Sequence, residues 1–284
     1  MSENKFKSFL KSQEKPYLKY RKWRYKVILS KNILKKHFFK IFDNSKDNKK
    51  LMVNVGGGYY FRRHWKVMEY ETKWYRYSPG VIDFNHNLAS EDKFPFKDNS
   101  VYLFYLSHTI EHIPQKYCQH IFNEIFRCLK SNGAVRFTNP DFDLGYKAYK
   151  EKNLEFFRKY KGVDLEEKFS YFFAAYHVVD KSKEELDKIK QLLQKNFLEM
   201  SKEEFANFYT LEIPPESQIH HAESHISWWN FEKMKTFLIT SGFRNIYLSS
   251  PQQSKFHEMR GYGRNTGFDS THPEFSIFVE AVKD

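Results

Sequence analysis

The amino-acid sequence predicts an α/β fold with a mostly parallel sheet, and two observations lead to this prediction. From Leu51 onward, short apolar segments rich in β-branched and aromatic residues alternate with segments of helical periodicity, which is the pattern of strand–helix–strand units. The first apolar segment, residues 51–55, ends at the three glycines 56–58, as a buried parallel strand does before a tight turn. Ligands of such sheets bind beyond the carboxyl ends of the strands, so we expect the site residues there.

Seven strands are predicted in order along the chain, each a short apolar segment bounded by turn residues. They cover residues 51–55, 65–69, 81–84, 101–106, 134–138, 245–248 and 276–281. A helix is predicted over 115–130, where apolar residues recur at helical spacing, and it is expected to stop at the Ser-Asn-Gly sequence 131–133. Another helix is predicted over 228–240.

Changes in composition divide the chain into four predicted regions. Residues 1–50 form a basic helical extension, and residues 51–144 form a ligand-binding core. Residues 145–226 form a helical insertion that caps the open edge of the sheet, where a second substrate would bind. Residues 227–284 form the last part of the core. This last region contains a helix, two strands and a long loop between them. Long loops inside compact domains are usually functional, so we expect this loop to form part of the site.

The positive charge of the chain is concentrated at its N-terminus. Residues 1–50 contain 16 Lys/Arg and four Asp/Glu, which accounts for the whole net charge of +12, and the remaining residues hold 31 of each sign. Such a segment either packs onto the body as an amphipathic helix or makes peripheral contact with an anionic surface. The neutral body and the lack of an evident RNA-binding module argue against stable nucleic-acid binding, and the sequence does not indicate an oligomeric state.

The cysteine content and the hydropathy pattern predict a cytoplasmic protein. Cys118 and Cys128 are the two cysteines, which does not fit a secreted disulfide scaffold. The N-terminus lacks the apolar region of a signal peptide, and no apolar run approaches the roughly 20 residues that span a bilayer. A membrane-peripheral location is the alternative that the basic extension leaves open.

Three strand ends carry candidate cofactor contacts. The glycines 56–58 let a ligand approach the backbone without a Cβ in the way, although a tight structural turn would also explain them. The dinucleotide fingerprint G-x-G-x-x-G and the phosphate-binding loop are absent, so a ligand without phosphate fits better than NAD or ATP. Glu69 ends the second strand, where a carboxylate can accept both hydroxyls of a ribose. Asn87 follows the third strand and can meet an adenine edge or simply form a turn.

Six short motifs in a fixed order make the sequence recognisable. They are NVGGG at 54–58, DFNHNL at 83–88, FPFKDNSV at 94–101, YLSHTIEHI at 105–113, EIFRCLKSNG at 124–133 and NPD at 139–141. Together they resemble the class I S-adenosylmethionine (SAM)-dependent methyltransferases, most closely the type 11 branch found with bacterial surface-polysaccharide genes. The resemblance covers about residues 50–145. It implies a Rossmann-like seven-stranded sheet with an antiparallel last strand, and SAM as the cofactor.

Carried over by position, the resemblance implies where SAM binds. The glycine turn would hold its methionine part, Glu69 its ribose, Asn87 and Leu88 its adenine, and His108 would lie near the methyl group. The sequence has a plain triple glycine where the family has G-x-G-x-G, and the span from Gly58 to Glu69 is short. The complete set of predicted cofactor contacts is Asn54, Gly56, Gly57, Gly58, Glu69, Asn87, Leu88, Ser107 and His108.

Histidines and an aspartate at the strand ends are the candidate catalytic residues. Methyl transfer from a sulfonium is an in-line displacement, and a neutral hydroxyl acceptor needs a base to take its proton. His is suited to this at neutral pH. His108 and His112 follow the fourth strand, with His108 on the cofactor side and His112 towards the acceptor. Asp141 follows the fifth strand and is a further candidate base. A helix-capping or core role is the alternative for each.

The segment HHAESH at 220–225 is dense in polar side chains. On a helix, His221 and His225 would share a face, which makes them candidate catalytic residues, with His220 and Glu223 as acceptor contacts. Two or three such side chains can also hold zinc. Methyl transfer does not require a metal, however, and the sequence analysis assigns no metal ligand. A plain surface role is the remaining alternative.

The long loop before the last strand supplies two further candidate acceptor contacts, His257 and Arg260. The planar fork of Arg260 can engage a phosphate or carboxylate on the acceptor, although a surface salt bridge would explain the residue equally well.

The sequence thus predicts a SAM-dependent methyltransferase, an enzyme of class EC 2.1.1. The expected reaction is O-methylation of a sugar or sugar-linked group in capsule or lipopolysaccharide biosynthesis. The acceptor is expected to be a small molecule or glycan, with nucleotide- or phosphate-bearing forms included. The alternatives are an RNA methyltransferase, which the basic extension favours, and a SAM-binding protein without catalysis. An NAD-dependent oxidoreductase is disfavoured by the missing dinucleotide fingerprint.

Overall fold

A seven-stranded sheet lies at the centre of the protein. The structure is a computed structural model that describes residues 34, 50–58, 62, 64–71, 82–214, 224–260, 268–269 and 272–284. The strands are β1 Leu51–Val55, β2 Trp65–Glu69, β3 Phe84–Asn85, β4 Val101–Ser107, β5 Leu129–Pro140, β6 Asn245–Leu248 and β7 Ser276–Val282. Their order across the sheet is β3-β2-β1-β4-β5-β7-β6. Pairs among β1 to β5 are parallel, and β7 runs antiparallel to β5 and to β6. The predicted fold class, with its antiparallel last strand, is confirmed.

Six α-helices accompany the sheet in the described ranges. They are α1 Gln115–Cys128, α2 Phe142–Lys150, α3 Leu165–Phe173, α4 Lys183–Glu199, α5 Lys202–Thr210 and α6 Phe231–Thr240. Within the described ranges, no helix is both long and apolar enough to cross a membrane. Apart from Leu34 and Lys50, the predicted basic extension 1–50 lies outside the described residues.

Helices α1 and α6 cover one face of the sheet. Ile121, Phe122 and Ile125 recur along one side of α1 and are completely buried together with Leu238 of α6 and Phe104 of β4. Each large apolar side chain buried in this way stabilises the fold by about 1.5–3 kcal/mol. This packing fixes the sheet beneath the strand ends that carry the candidate site.

Helices α2 to α5 lie between Phe142 and Thr210 and have a second core made almost entirely of aromatic rings. Its buried members include Phe142, Phe169, Phe172, Phe205 and Trp228. Helices α3, α4 and α5 begin at Asp and Ser side chains that accept hydrogen bonds from the first-turn backbone, which satisfies otherwise unpaired N–H groups. The abundance of phenylalanine in the sequence therefore builds a rigid cap next to the strand ends.

The opposite face of the sheet is covered by the long loop between β6 and β7. Met259 and Phe268 of this loop pack on Met52, Trp65 and Leu103. The connection from β1 to β2, residues 56–64, is shorter than the dozen residues that a crossover helix between parallel strands usually needs. On this face, the described residues of the late loop bury the sheet residues. The short β1–β2 connection predicted from the sequence lacks the length for a usual crossover helix.

Several predicted boundaries are wrong, each for a local reason. The predicted helix 115–130 ends at Cys128, because Leu129 is already extended and pairs with Val101, so β5 starts there rather than at residue 134. The predicted stop at 131–133 is an irregularity within β5, where Asn132 has a φ of 61°.

The predicted third strand and last helix also begin late. Pairing of β3 starts at Phe84, because the Asp83 carboxylate accepts the Val67 N–H (2.9 Å), and Val81 lies outside the described residues. The predicted helix 228–240 begins at Phe231, since the Asn230 side chain caps it through the Lys233 N–H (2.9 Å). Polar side chains that bind backbone groups set both starts.

Candidate active site

The glycine turn after β1 lies against its neighbours so closely that two of its members cannot carry a side chain. A Cβ on Gly56 would be 2.3 Å from the Thr109 Cγ2, and one on Gly57 would be 2.4 Å from the Asn54 Nδ2. Gly56 and Gly58 have φ values of 65° and 55°, the left-handed region that glycine adopts at least cost. Apart from its chain neighbours, no atom of the described residues lies within 4 Å of the Cβ position of Gly58, so this part of the fold leaves the turn open to a ligand there.

Glu69 lies directly beside this open turn. Its Oε2 accepts a hydrogen bond from the Gly58 N–H (2.8 Å) and its Oε1 accepts one from the Tyr70 N–H (2.9 Å). Burial raises the pKa of the carboxyl, while these two hydrogen bonds act in the opposite direction. Each carboxylate oxygen has a further lone pair, so the arrangement fits the predicted grip on a pair of ribose hydroxyls.

The third strand end adjoins Glu69 as expected. The His86 N–H donates to the Glu69 carbonyl (3.0 Å), and the Asn87 Oδ1 accepts the Ala89 N–H (3.0 Å), which forms a turn. Leu88 is buried in the core under this turn. Asn87 and Leu88 therefore follow the strand end that neighbours Glu69, and their contact with adenine stays a prediction.

The end of β4 is joined to β5 and β7 at the centre of the site. Ser107 and Thr138 share a hydrogen bond between their hydroxyls (2.9 Å), and the His108 N–H donates to the Thr138 carbonyl (2.8 Å). His108 has a φ of 50°, which is uncommon for a residue with a side chain. Its Nε2 lies 3.0 Å from the Ser276 Oγ. These contacts hold the His108 ring at the carboxyl ends of β4 and β5.

Glu111 is a central residue that sequence reasoning missed, although it lies within a quoted motif. Its side chain is almost fully buried, at 1% exposure. Its Oε2 accepts a hydrogen bond from the Asn139 Nδ2 (2.6 Å), and its Oε1 lies 3.2 Å from the His108 Nδ1 and 3.9 Å from the His112 Nε2. Burial disfavours its charge, but the adjacent His108 and the charges of His108, His112 and His225 outweigh it and lower the pKa to about 2. Glu111 is therefore ionised.

His112 and His225 face each other beside Glu111. The His112 Nδ1 donates to the Ser224 carbonyl (3.0 Å), the His225 Nδ1 donates to the Phe172 carbonyl (2.5 Å), and the ring centroids are 5.0 Å apart. Burial, followed by the nearby His112, lowers the pKa of His225 to about 4. His225 lies in an irregular segment rather than on a helix. His220, His221 and Glu223 lie outside the described residues.

Asp141 caps helix α2. Its carboxylate accepts the Asp143 N–H (3.0 Å), and burial raises its pKa to about 6. A carboxyl with this pKa can take a proton near neutral pH, so its predicted role as a base stays a prediction beside its observed capping role.

The two candidates in the late loop are solvent-exposed. The His257 Nδ1 lies 3.1 Å from the Glu258 Oε2, and the Arg260 Nε donates to the Ser254 carbonyl (2.7 Å). The Arg260 carbonyl accepts a hydrogen bond from Arg62 (3.0 Å). These contacts tie the two residues to their own loop and to the β1–β2 connection. Their contact with an acceptor stays a prediction.

The structure thus collects the strand-end candidates into two adjoining parts. One is the open turn with Glu69, and the other is a polar cluster of His108, Glu111, His112 and His225. The first part fits a nucleoside with an amino-acid tail, and the second can bind and deprotonate a polar group beside it.

Residues 67–137 match the family model of the methyltransferase domain. The match runs from β2 into β5 and contains Glu69, His108, Glu111 and His112. It supports the prediction of a methyltransferase domain over this part of the chain. No curated protein matches the chain in sequence.

Three solved structures illustrate what the whole chain is similar to. One is a SAM-dependent methyltransferase from Thermotoga maritima, described as a possible histamine N-methyltransferase, with 14% identity, 98% of each chain covered and a TM-score of 0.41. A methyltransferase from Mesorhizobium loti has 12% identity and a TM-score of 0.42, with 82% of this chain and 90% of that chain covered. One from Aquifex aeolicus has 11% identity and a TM-score of 0.37, with 86% and 88% covered. These likenesses are too distant to assign an acceptor.

Proposed function

We propose that this protein is a SAM-dependent methyltransferase that methylates a hydroxyl oxygen of a sugar or sugar-linked acceptor. The observation that carries the proposal is the contact between Gly58 and Glu69, which puts a side-chain-free turn and a ribose-binding carboxylate side by side at the strand ends. The methyltransferase-domain match covers this carboxylate and three members of the polar cluster, His108, Glu111 and His112. The resemblance to methyltransferases found with polysaccharide genes supports a sugar acceptor.

In this proposal, the cofactor half of the site binds and orients. The backbone at residues 56–58 accommodates the amino-acid part, Glu69 accepts the ribose hydroxyls, and Asn87 and Leu88 flank the base. Bound SAM supplies an electrophilic methyl carbon on a positively charged sulfur, so the leaving group needs no protonation. The protein therefore contributes mainly alignment and removal of a proton from the acceptor.

The polar cluster is suited to removing that proton. The acceptor oxygen would form a bond to the methyl carbon while the carbon–sulfur bond breaks. The electron pair of the broken bond would stay on the sulfur. The hydroxyl proton passes to the Nε2 of His108, whose contact with the Ser276 hydroxyl (3.0 Å) is exchanged for one with the acceptor. The Glu111 carboxylate, 3.2 Å from the Nδ1 of that ring, stabilises the imidazolium that forms, as the carboxylate does in an Asp–His pair.

Two measurements test the proposal. Titration calorimetry with S-adenosylhomocysteine is expected to show one site per chain, and Glu69→Gln is expected to weaken it about 10- to 100-fold, because a charge-assisted pair of hydrogen bonds is lost. Glu71→Gln, an exposed carboxylate two residues further on, is the matched control and should bind normally. Absence of binding to the wild-type protein would overturn the proposal.

Turnover with a panel of acceptors tests the reaction. Sugar nucleotides and glycans are expected to accept a labelled methyl group, whereas RNA and simple amines are not. His108→Gln is expected to reduce kcat about 10²- to 10⁴-fold, which is the usual effect of losing a general base. Methylation of RNA or of an amine in preference to a hydroxyl would contradict the acceptor class.

A further inference from the structure

Glu111, His112 and His225 bring three potential metal ligands to one point. Each offers one ligand atom, and these atoms all lie within 4.8 Å of one another. Around zinc, with bonds of about 2.0–2.1 Å, three such atoms would be separated by about 3.4 Å. Small side-chain movements would therefore bring them to bonding distance. Two imidazole nitrogens and one carboxylate oxygen are a donor set used by catalytic zinc and by non-haem iron.

Both histidines are held as metal-binding histidines usually are. The His112 Nδ1 donates to the Ser224 carbonyl and the His225 Nδ1 donates to the Phe172 carbonyl. Since a carbonyl can only accept, each ring must carry its proton on Nδ1, which leaves the Nε2 lone pair for a ligand bond. A hydrogen bond from the second ring nitrogen to a backbone carbonyl is the usual support of a metal-bound imidazole.

The Glu111 carboxylate supplies a second, independent observation. Its Oε2 is held by Asn139, whereas its Oε1 is completely buried and has no assigned hydrogen-bond partner among the described residues. The His108 Nδ1 lies 3.2 Å from Oε1. A buried carboxylate oxygen without a partner is costly. A bound cation between Glu111 and the two imidazoles would satisfy this oxygen.

The ligands join two parts of the fold. Glu111 and His112 lie in the turn after β4, and His225 lies in the segment that leads to α6. The backbone N–H groups of Ile226 and Ser227 donate to the Glu111 carbonyl (2.8 and 3.1 Å), so the main chain already holds the two ligand segments together. A metal site here has a rigid frame.

We propose that Glu111, His112 and His225 bind one divalent transition-metal ion, with zinc as the first candidate. Two imidazoles favour zinc and its neighbours over magnesium or calcium, which prefer oxygen ligands. Three protein ligands leave at least one coordination position open. We assign that position to the acceptor hydroxyl, a role that rests on the proposed function.

The metal ion and His108 would then act on the same proton. Coordination to a divalent cation lowers the pKa of a hydroxyl, and the His108 Nδ1 lies 3.2 Å from the same Glu111 Oε1 that would bind the ion. The proton released from the hydroxyl goes to His108, as in the reaction proposed above.

Three substitutions remove a ligand atom while keeping its structural contact. His112→Asn and His225→Asn place an amide nitrogen where Nδ1 was, so the hydrogen bond to the backbone carbonyl is kept and Nε2 is lost. Glu111→Gln keeps an acceptor for Asn139 and removes the charge. His177→Gln is the matched control, because His177 also lies partly buried and binds a backbone carbonyl, but through Nε2 (2.9 Å).

The primary measurement is calorimetric titration of the metal-free full-length protein with Zn²⁺, together with the visible absorption of bound Co²⁺. We expect one high-affinity ion per chain in the wild type and in His177→Gln. Each of the three ligand variants should bind at least 100-fold more weakly. The proposal is overturned if the wild type binds neither ion, or if the ligand variants bind as the wild type does.

The same samples distinguish this proposal from the proposed function. S-adenosylhomocysteine affinity reports the cofactor half of the site, which the substitutions do not touch, so unchanged affinity also shows that the variants are folded. If the protein binds zinc but not S-adenosylhomocysteine, the metal-site proposal stands and the proposed methyltransferase function is wrong. Loss of zinc binding in His221→Ala with full binding in His225→Asn would place the ion elsewhere and reject the metal site.

Discussion

Gly57 and Gly58 are neighbours in one turn, but the spaces beside their α-carbons differ. Gly57→Ala would place a methyl group 2.4 Å from the Asn54 amide, whereas the methyl group of Gly58→Ala meets no atom of the described residues beyond its chain neighbours and adds the strain of a positive φ. We expect Gly57→Ala to lower the free energy of unfolding by about 1–3 kcal/mol, as overpacking of a filled site does.

Gly58→Ala should act on the ligand rather than on the fold. Its methyl group would occupy the open side of the turn, so S-adenosylhomocysteine should bind at least 10-fold more weakly while stability falls by only about 1 kcal/mol. Denaturant unfolding and calorimetry of both variants check the pair. Equal losses of stability, with binding intact in Gly58→Ala, would show that the turn has only a structural role.

Asp141 is expected to make the stability of the fold depend on pH. Its carboxyl has a pKa of about 6 in the fold and about 3.9 in an unfolded chain, so the folded protein binds the proton more tightly. Stability from this group is therefore present below about pH 4 and is lost as the pH rises to about 6, by up to about 3 kcal/mol. Asp141→Asn keeps the capping oxygen and should remove this loss.

Unfolding measured between pH 4 and 8 tests this expectation. The variant should exceed the wild type in stability at pH 7.5, and the difference should shrink towards pH 4. A difference that is constant across this range would be the contrary result. Turnover of the same variant shows whether Asp141 also acts as a base, since a purely capping role leaves kcat unchanged.

A buried ion-pair network joins strand β5 to strand β7 and to the late loop. Arg136 lies opposite Glu280 in the register of β5 and β7, and its guanidinium contacts Glu280 (2.6 Å) and Asp269 of the late loop (2.6 and 3.1 Å). The side chains of all three are completely buried. Tyr105 and Tyr247 on the flanking strands donate to the two carboxylates. The network fixes the late loop to the sheet.

Removal of the cation would leave two buried carboxylates without a counter-charge. Arg136→Met is therefore expected to cost about 3–5 kcal/mol, as breaking other buried pairs does. Arg158→Met removes an exposed pair with Glu155 and should change stability by about 1 kcal/mol or less. Denaturant unfolding compares the two, and similar small effects would show that the buried network does not hold the loop.

The elements that sequence reasoning predicted correctly are encoded locally. The bounds of β1, β2 and β6 follow from short apolar segments with turn residues at their ends, and Glu69 was found because it ends such a segment. The Glu111 cluster could not be found in this way, because His112 and Ser224 are 112 positions apart. The local signal in the sequence is the pair Glu111-His112, which follows His108 by three and four positions. The histidines 220–225 attracted attention as a helical face, but His225 works from an irregular segment.

The β5 network escaped prediction for the same reason. Arg136 lies in the middle of an apolar strand, and a buried charge there implies a counter-charge. Nothing in the sequence indicates which of the 35 acidic residues supplies it. Tertiary packing selects Asp269, 133 positions further along the chain.

The whole molecule combines a neutral catalytic body with a basic N-terminal segment. Residues 1–50 hold the entire excess of positive charge, and anionic membranes attract each exposed Lys or Arg by about 1 kcal/mol. We therefore expect the full chain to bind vesicles that contain anionic lipid, and the affinity to fall steeply with salt, because the attraction is screened within a Debye length.

A variant of the N-terminal segment with fewer positive charges and the same apolar residues tests whether charge attracts the segment to membranes. The alternative is that the segment packs onto the body through its apolar residues. Replacing Lys5, Lys7, Lys11, Lys15 and Lys19 by Gln should weaken vesicle binding at least 100-fold at low salt, since five such charges contribute about 5 kcal/mol at most. S-adenosylhomocysteine affinity and thermal stability should not change, because the substitutions leave every apolar residue of the segment and every residue of the candidate site in place. If the wild type bound neutral vesicles equally well, the apolar residues of the segment would be responsible. Charge would then have no part in locating the enzyme.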